Sequence, residues 1–362
     1  MNPFNPSFGK VPTVFLDRNK LVNTVTKNLE NPNSPYQTTL IYGLRGVGKT
    51  SFLTDVSKTV AKKKNWIVVN LVPNDKILPT LIEGIYKQST PKLKKIFDKV
   101  NGFKISAFGI EINGQKNNDA SVSQIALETI LEQLKKQNAH LLVTIDEVSS
   151  IPEIRSFASI YQIMIREEFY ISLIMTGLPD QVSELQNDKV LTFLLRSKRI
   201  TLSPLNKLDV KYRYREAFAN DGRKISDQVL NRMTLLTNGY AYAFQLLGYL
   251  LWDTEKKEIT NNVLNSVLDE YKEELYRNVY GKIYSGLSDV DQEFVKAMAK
   301  FNEENVPIKF IEEKMAKTHN YVSIYRRRLL DDQVIISPKR GYVQFTLPFF
   351  KDFIIENGIM YE

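Results

Sequence analysis

The sequence predicts an α/β fold in which a parallel sheet is covered by helices on both faces, followed by an all-helical segment and a small terminal domain of three helices and two strands. Three observations predict it. First, TTLIYGLRGVGKTSFLTDVSKTVAKK (38–63) reads as a short apolar strand, a glycine-rich turn and a helix. Second, HLLVTIDEVSS (140–150) is an apolar strand that ends in two carboxylates, Asp146 and Glu147. Third, the apolar runs WIVVNL (66–71), YISLIMTG (170–177) and KRITLSPL (198–205) alternate with helical stretches around 76–101, 121–138 and 154–168. Such alternation is the pattern of a parallel sheet covered on both sides.

Within the first segment, Gly43, Gly48, Lys49 and Thr50 complete the phosphate-binding pattern G-x-x-x-x-G-K-[ST]. Each residue type answers a physical need. Glycines allow positive φ, so that successive N–H groups and the helix start point at phosphate oxygens. Lys49 offers a flexible point charge to the β and γ phosphates, and Thr50 offers a hydroxyl to a bridging Mg2+ ion. The nucleotide-binding set is Gly43, Leu44, Arg45, Gly46, Val47, Gly48, Lys49, Thr50 and Ser51. Arg45 points either to phosphate or to solvent, and solvent is the simpler reading.

The carboxylates at the end of 140–150 fall at the sheet edge where ligands of open α/β folds collect. There Asp146 would hold the hydrated magnesium and Glu147 would polarise an attacking water. A second acid directly after the metal-holding one suits hydrolysis, which points to an ATPase using ATP and Mg2+. Thr176, closing the strand before Gly177, stands where a sensor of the γ phosphate would sit, although threonine is also simply a good strand residue.

Between the second strand and the Asp-Glu strand, FKISAFGIEINGQKNN (103–118) alternates like a hairpin or extended arm with Gly109 and Gly114 at the bends. It reads equally as a partner-contacting insertion and as an edge of the sheet. After Pro204 the pattern is wholly helical, over 208–220, 226–237, 240–253 and 260–284, with Asp221-Gly222 and Asn238-Gly239 at the joins. Three short helices follow, 288–301, 307–317 and 320–332, and then QVIISPKRGYVQFTLP (333–348) as two strands about a Lys339-Arg340-Gly341 tip. Three helices and a two-stranded wing describe a winged helix. The expected domains are 1–205, 206–285 and 286–362.

Taken with NPFNPSFGKVP, FLDR, MTGLPD, RSKRITLSPL and NGYAYAFQLLGYLLW, these motifs resemble the bacterial and archaeal AAA+ ATPases related to origin-recognition proteins, and overlap with the signal-transducing STAND NTPases. The resemblance spans nearly the whole chain, with the two Walker motifs as its specific part. It implies a five-stranded P-loop core with an added strand between the Walker A and Walker B strands, a helical lid and a C-terminal winged helix. It also implies that Arg196 or Arg199 is an arginine finger reaching a neighbour's γ phosphate, which would make catalysis depend on self-assembly. The plain alternative is a pair of surface cations. Adenine would lie between residues 8–18 and the lid. Two departures stand out. Asp17-Arg18 replaces the usual Gly-Arg, and Gly239-Tyr240-Ala241-Tyr242 lacks the lid arginine of origin-type relatives. The second bears on hydrolysis and lid motion, and leaves ATP binding untouched.

Composition narrows the chemistry further. The 362 residues contain no cysteine and only His140 and His319, which excludes disulfides, thiol nucleophiles and multi-histidine metal sites. The N-terminus lacks a signal-peptide pattern, and the apolar stretch 239–252 is too short to span a bilayer and contains Gln245. A cytoplasmic protein without membrane contact is expected.

The formal net charge is +8. Residues 286–362 carry 11 basic and 12 acidic groups, so the winged helix has no bulk attraction for DNA, whereas residues 58–104, with 11 lysines and three acids, carry +8. Candidate contacts to double-stranded DNA are Tyr321, Ser323, Tyr325, Arg326, Arg327 and Arg328 on the last helix, with Lys339 and Arg340 on the wing. The leading function is an ATP-driven protein that acts on DNA in replication, mobile-element transfer or regulation. The alternative is an ATPase switch whose winged helix contacts a protein effector in stress or antiviral defence.

Overall fold

The computed structural model describes residues 1–7, 12–14, 18–97, 103–106, 109–112, 115–116, 120–188 and 191–357. The chain divides into two compact units, Arg18–Tyr42 with Lys49–Thr201, and Met1–Asp17 with Gly43–Gly48 and Leu202–Glu362.

The first of these, the sheet unit, runs α1 (Asn19–Asn28), β1 (Thr38–Tyr42), α2 (Lys49–Ala61), β2 (Trp66–Leu71), α3 (Ile77–Gln88), α4 (Pro91–Phe97), β3 (Phe103–Ser106), β4 (Gly109–Ile112), β5 (Gln115–Lys116), α5 (Ala120–Lys136), β6 (His140–Ile145), α6 (Pro152–Arg166), β7 (Ile171–Gly177), α7 (Pro179–Asn187) and β8 (Lys198–Thr201). Five strands form one parallel sheet in the order β2-β6-β7-β1-β8, which places β7 between β1 and β6. Every residue of β7 is buried and β6 is buried from Leu141 to Ile145, which is why both read as unbroken apolar runs. Leu81 and Ile82 of α3, Leu127 of α5 and Phe157 of α6 belong to the same core as Val143 and Met175 of the sheet.

Register sets the functional edge. Ile145 pairs with Met175, and Thr176 with Ile41, so the chain leaves β6 at Asp146 directly beside Thr176. At the opposite edge, the first residues of β2 and β6 and the residue before β7 stack as a ladder of rings. Trp66 to His140 is 4.9 Å and His140 to Tyr170 is 4.7 Å between centroids.

Strands β3, β4 and β5 pair antiparallel with one another, Phe103 opposite Ile112 and Glu111 opposite Lys116, as a separate three-stranded sheet. The arm expected over 103–118 is therefore no edge of the parallel sheet.

The other unit, the lid unit, contains α8 (Lys207–Asn220), β9 (Lys224–Ile225), α9 (Asp227–Thr237), α10 (Ala241–Asp253), β10 (Glu258–Ile259), α11 (Asn261–Ser266), α12 (Leu268–Leu275), a π turn (Tyr276–Tyr280) and α13 (Gly281–Ser285). It continues with α14 (Asp289–Ala299), β11 (Val306–Pro307), α15 (Ile308–Met315), α16 (His319–Asp331), β12 (Ile335–Ile336), β13 (Tyr342–Phe345) and α17 (Phe350–Asn357). Side-chain caps start several of these helices: Asn206, Ser226, Thr260 and Ser288 each accept a backbone N–H of the first turn.

Three features differ from the sequence expectation. The helix expected over 260–284 is divided. Nine residues of uninterrupted α-helix are about two and a half turns and would put Tyr280 opposite Tyr271, whereas the intervening π turn leaves both fully buried. A two-residue parallel bridge joins β9 to β10 within the segment expected to be all helix. The winged helix gains a third strand, β11, against β13, and a closing helix, α17. A strand ending in Pro307 has too little alternation to be read from sequence.

The N-terminal residues complete the lid core. Phe4 is 1% exposed, with its ring 5.8 Å from Tyr214, 5.6 Å from Phe218, 5.8 Å from Phe244 and 6.1 Å from Trp252. A Cβ on Gly248 would lie 2.4 Å from that ring, so glycine in the middle of α10 makes room for it. Gln245, the polar interruption of the apolar stretch, accepts from Asn5 N–H at 3.0 Å and donates to the Val14 carbonyl at 2.7 Å. Among the described residues no helix is long and apolar enough to cross a membrane.

Candidate functional site

In the sheet unit the catalytic candidates converge on one carboxylate. Thr50, in the first turn of α2, donates its Oγ1 proton to Asp146 Oδ2 at 2.6 Å. Thr176, fully buried at the end of β7, donates to Asp146 Oδ1 and accepts from Glu147 N–H at 3.3 Å. Glu147 N–H also reaches Asp146 Oδ1 at 3.1 Å. Glu147 adopts a left-handed backbone, φ 55°, at the point where the chain turns off the strand, and its side chain is exposed. The acid that holds its neighbours is thus half-buried and fixed, and the acid that would meet water is free.

Lys49 begins α2 and is 9% exposed, and Ser51 is half-buried in the same turn. A cavity of about 400 Å³ opens beside Thr50 and Asp146, lined also by Thr54, Ser57, Lys58 and Asn70. Asn70 Oδ1 accepts hydroxyl protons from Ser57 at 2.8 Å and Thr144 at 2.7 Å, which keeps this wall polar.

The donors here fit magnesium. They are oxygens only, and those of Thr50 and Asp146 converge within hydrogen-bond distance of each other. Among the described residues no group of three or more His, Cys, Asp or Glu could cage an ion alone. That is the usual situation for Mg2+, which is held by one or two protein oxygens, phosphates and water.

In the lid unit the phosphate loop itself, Gly43–Gly48, makes a different set of contacts. Gly46 and Gly48 have φ of 75° and 95°, the left-handed values that require glycine. Tyr240 Oη donates to the Arg45 carbonyl at 2.7 Å, and Tyr242 N–H donates to the Gly46 carbonyl at 3.1 Å. Gln333 Oε1 accepts from Leu44 N–H at 3.3 Å. Val47 N–H closes a turn onto the Leu44 carbonyl at 3.3 Å, and Leu44 and Val47 are buried while Arg45 is exposed. None of Tyr240, Tyr242 and Gln333 belongs to the sequence-derived site. The one available signal was the tyrosine pair at the lid position where an arginine is usual. Gln333 has no signal at all.

The other candidates make contacts of their own. Arg196 ends a 3-10 turn and Arg199 lies in β8, both exposed. On α16, Arg326 donates to Ser337 at 2.9 Å, and Arg328 pairs at 2.8 Å with Asp291, which is 1% exposed. Arg327 is 86% exposed, with Asp331 at 3.9 Å. Tyr321 and Tyr325 pack with ring centroids 5.0 Å apart, and Ser323 reaches His319 at 3.5 Å. At the wing, Lys339 lies 4.0 Å above the Tyr342 ring and Arg340 is exposed. Two of the four arginines expected to meet DNA, Arg326 and Arg328, are therefore tied into the domain itself. Of the segment expected to border adenine, residues 8–11 and 15–17 lie outside the described residues, as does Lys99 of the lysine-rich stretch.

Comparison with known proteins gives the site a context. Residues 13–159 match the family described as Bacterial DnaA ATPase domain, and residues 277–354 match Domain of unknown function (DUF8462). The chain is similar to the chromosomal replication initiator protein DnaA of Buchnera aphidicola, 27% identical over 125 residues, which are 34% of this chain and 26% of that protein. It thus spans about a quarter of that relative's length. Among solved structures, the Walker-type ATPase of Pyrococcus abyssi is 14% identical with a TM-score of 0.64, covering 94% of this chain and 96% of its own. The ORC2 protein of Aeropyrum pernix, in ADPNP and ADP complexes, is 14% identical with a TM-score of 0.58, covering 98% of each chain. At such identities the likeness is one of fold.

Proposed function

From a chain whose fold is that of the AAA+ P-loop ATPases related to origin-recognition proteins, we propose a protein that binds ATP with Mg2+, hydrolyses it, and uses the cycle to act on DNA. The observation that carries the reading is the convergence of Thr50, Thr176 and the Glu147 N–H on Asp146. Thr50 and Asp146 would hold the magnesium, which when bound neutralises phosphate charge. Lys49 would neutralise the β and γ phosphates from the helix start. Glu147, exposed beside this cluster, orients a water and accepts its proton as the oxygen bonds the γ phosphorus and the bond to the β–γ bridging oxygen breaks, leaving ADP and phosphate. Thr176 fixes the Glu147 backbone and so the direction of that carboxylate.

The test separates binding from turnover. Lys49→Ala should abolish ATP binding, whereas Glu147→Gln should keep binding and lower turnover by about a hundredfold or more. Turnover unchanged in Glu147→Gln would remove it as the base.

Action on DNA is supported by the match of residues 13–159 to the ATPase domain of a family that includes a chromosomal replication initiator, and by exposed Arg327, Lys339 and Arg340. Assembly through Arg196 or Arg199 and the division into domains 1–205, 206–285 and 286–362 belong to the same proposal. A second reading, an ATPase switch contacting a protein effector, is favoured by the engagement of Arg326 and Arg328 within the winged helix. Titrating the Glu147→Gln protein with duplex DNA and ATP across a salt series decides between them. Salt-sensitive binding weakened by Arg327→Ala supports the first, and no binding at low salt overturns it in favour of the second.

A further inference from the structure

The phosphate loop is gripped from two sides. At the start of α10, the Tyr240 hydroxyl and the Tyr242 N–H hold the carbonyls of Arg45 and Gly46. A trans peptide is planar, so its N–H points opposite to its C=O. Holding the Arg45 carbonyl therefore turns Gly46 N–H away from Tyr240, while Val47 N–H stays on the turn that it closes onto the Leu44 carbonyl. A loop that receives phosphate through N–H groups binds more tightly when those directions are set beforehand.

The fit is steric as well as polar. A Cβ on Gly46 would lie 2.2 Å from Tyr240 Oη, so the tyrosine can sit here only over a glycine. Tyr240 is 4% exposed, and burial raises its hydroxyl well above the usual tyrosine value, which keeps it a donor at any working pH.

On the other side, Gln333 accepts from Leu44 N–H, and its Oε1 lies 3.1 Å from where a Cβ of Gly43 would be. Gln333 occupies the turn between α16 and β12 with φ 62°. Its own carbonyl accepts from Thr346 Oγ1, and the Thr346 carbonyl accepts from Asn238 Nδ2 at 2.9 Å, the residue before Gly239. The turn is thus joined both to the loop and to the approach to α10.

We propose that Tyr240 and Gln333 are positioning residues that preset the phosphate loop for nucleotide and carry its occupancy to the winged helix through the turn at 333. This rests on the reading that the loop binds nucleoside phosphates. The probe is a fluorescent ATP analogue with Mg2+, titrated into the full chain. Wild-type protein that binds no better than Lys49→Ala sinks the nucleotide reading itself. Given binding by the wild type, Tyr240→Phe and Gln333→Leu should each weaken it about tenfold, because the loop must then be ordered at the expense of binding. The thermal midpoint without nucleotide should stay near the wild-type value in at least the Gln333→Leu protein, and the double variant should lose less than the product of the two. Wild-type affinity in both single variants overturns the proposal, as does a loss that merely follows a lowered thermal midpoint. A second readout is amide hydrogen exchange of residues 333–346. Saturating ADP should alter it in the wild type and leave it unaltered in Gln333→Leu, and an exchange pattern indifferent to ADP in the wild type overturns the link to the winged helix.

Discussion

Glu147 shows how much of a site can rest on one backbone angle. A left-handed conformation costs a side-chain-bearing residue on the order of 1 kcal/mol, and here it is held by two acceptors on one N–H, Asp146 Oδ1 and Thr176 Oγ1. Thr176→Val keeps the shape and removes both bonds of that hydroxyl. We expect about 1–3 kcal/mol of lost stability in urea unfolding, together with slowed turnover at retained ATP affinity, because the Glu147 carboxylate loses its direction. Gly239 is constrained as tightly, with φ 75° and a Cβ position 2.5 Å from the Leu205 carbonyl. Gly239→Ala should cost about 2 kcal/mol or more and lower the thermal midpoint by several degrees, roughly. Gly43 and Gly48 were legible from their spacing, but they are needed for different reasons. Gly46 and Gly48 have positive φ, whereas Gly43 is needed because Val47 and Gln333 approach within 3.0 and 3.1 Å of its Cβ position. A partner 290 residues away leaves no mark on a local pattern.

Among elements, those with a strong period or an unbroken apolar run were readable, as β6, β7 and α6 illustrate. What escaped was short or depended on tertiary pairing: β11, the bridge of β9 with β10, and the π turn that keeps Tyr280 in the core. The ring ladder across β2, β6 and β7 has a measurable consequence. Burial lowers the His140 pKa below the ordinary 6.5, so the folded state resists a proton that the unfolded chain accepts. Stability is therefore full above about pH 6.5 and declines below it, levelling off once the folded imidazole also titrates. His140→Phe keeps the stacking and should flatten that part of the curve of unfolding free energy against pH. In the winged helix, Asp291 Oδ1 is buried with no hydrogen-bond partner and Oδ2 depends on Arg328 and Ser288. Arg328→Ala should cost about 3 kcal/mol, as removing one partner of a buried pair does, measured by denaturant unfolding. Loss of DNA binding in that variant would then report on folding, which makes Arg327 the informative position.

On the scale of the whole molecule, the charge excess is part architecture. Lys63 is held by the Thr26 carbonyl and Glu30 at 2.7 Å each, and Lys94 lies over the Tyr86 ring, whereas Lys62, Lys64, Lys92 and Lys95 are exposed. Replacing those four by glutamine should reduce the salt dependence of any polyanion binding, while Lys63→Gln should act on stability instead; titrations at several salt concentrations distinguish the two. The lid unit also depends on a residue far from it in sequence. Because Phe4 fills a hole lined by Tyr214, Phe218, Phe244, Trp252 and Gly248, losing it resembles a large-to-small core substitution, worth about 3–5 kcal/mol. Phe4→Ala would therefore act as a destabilising core mutation although no residue around the phosphate loop is changed.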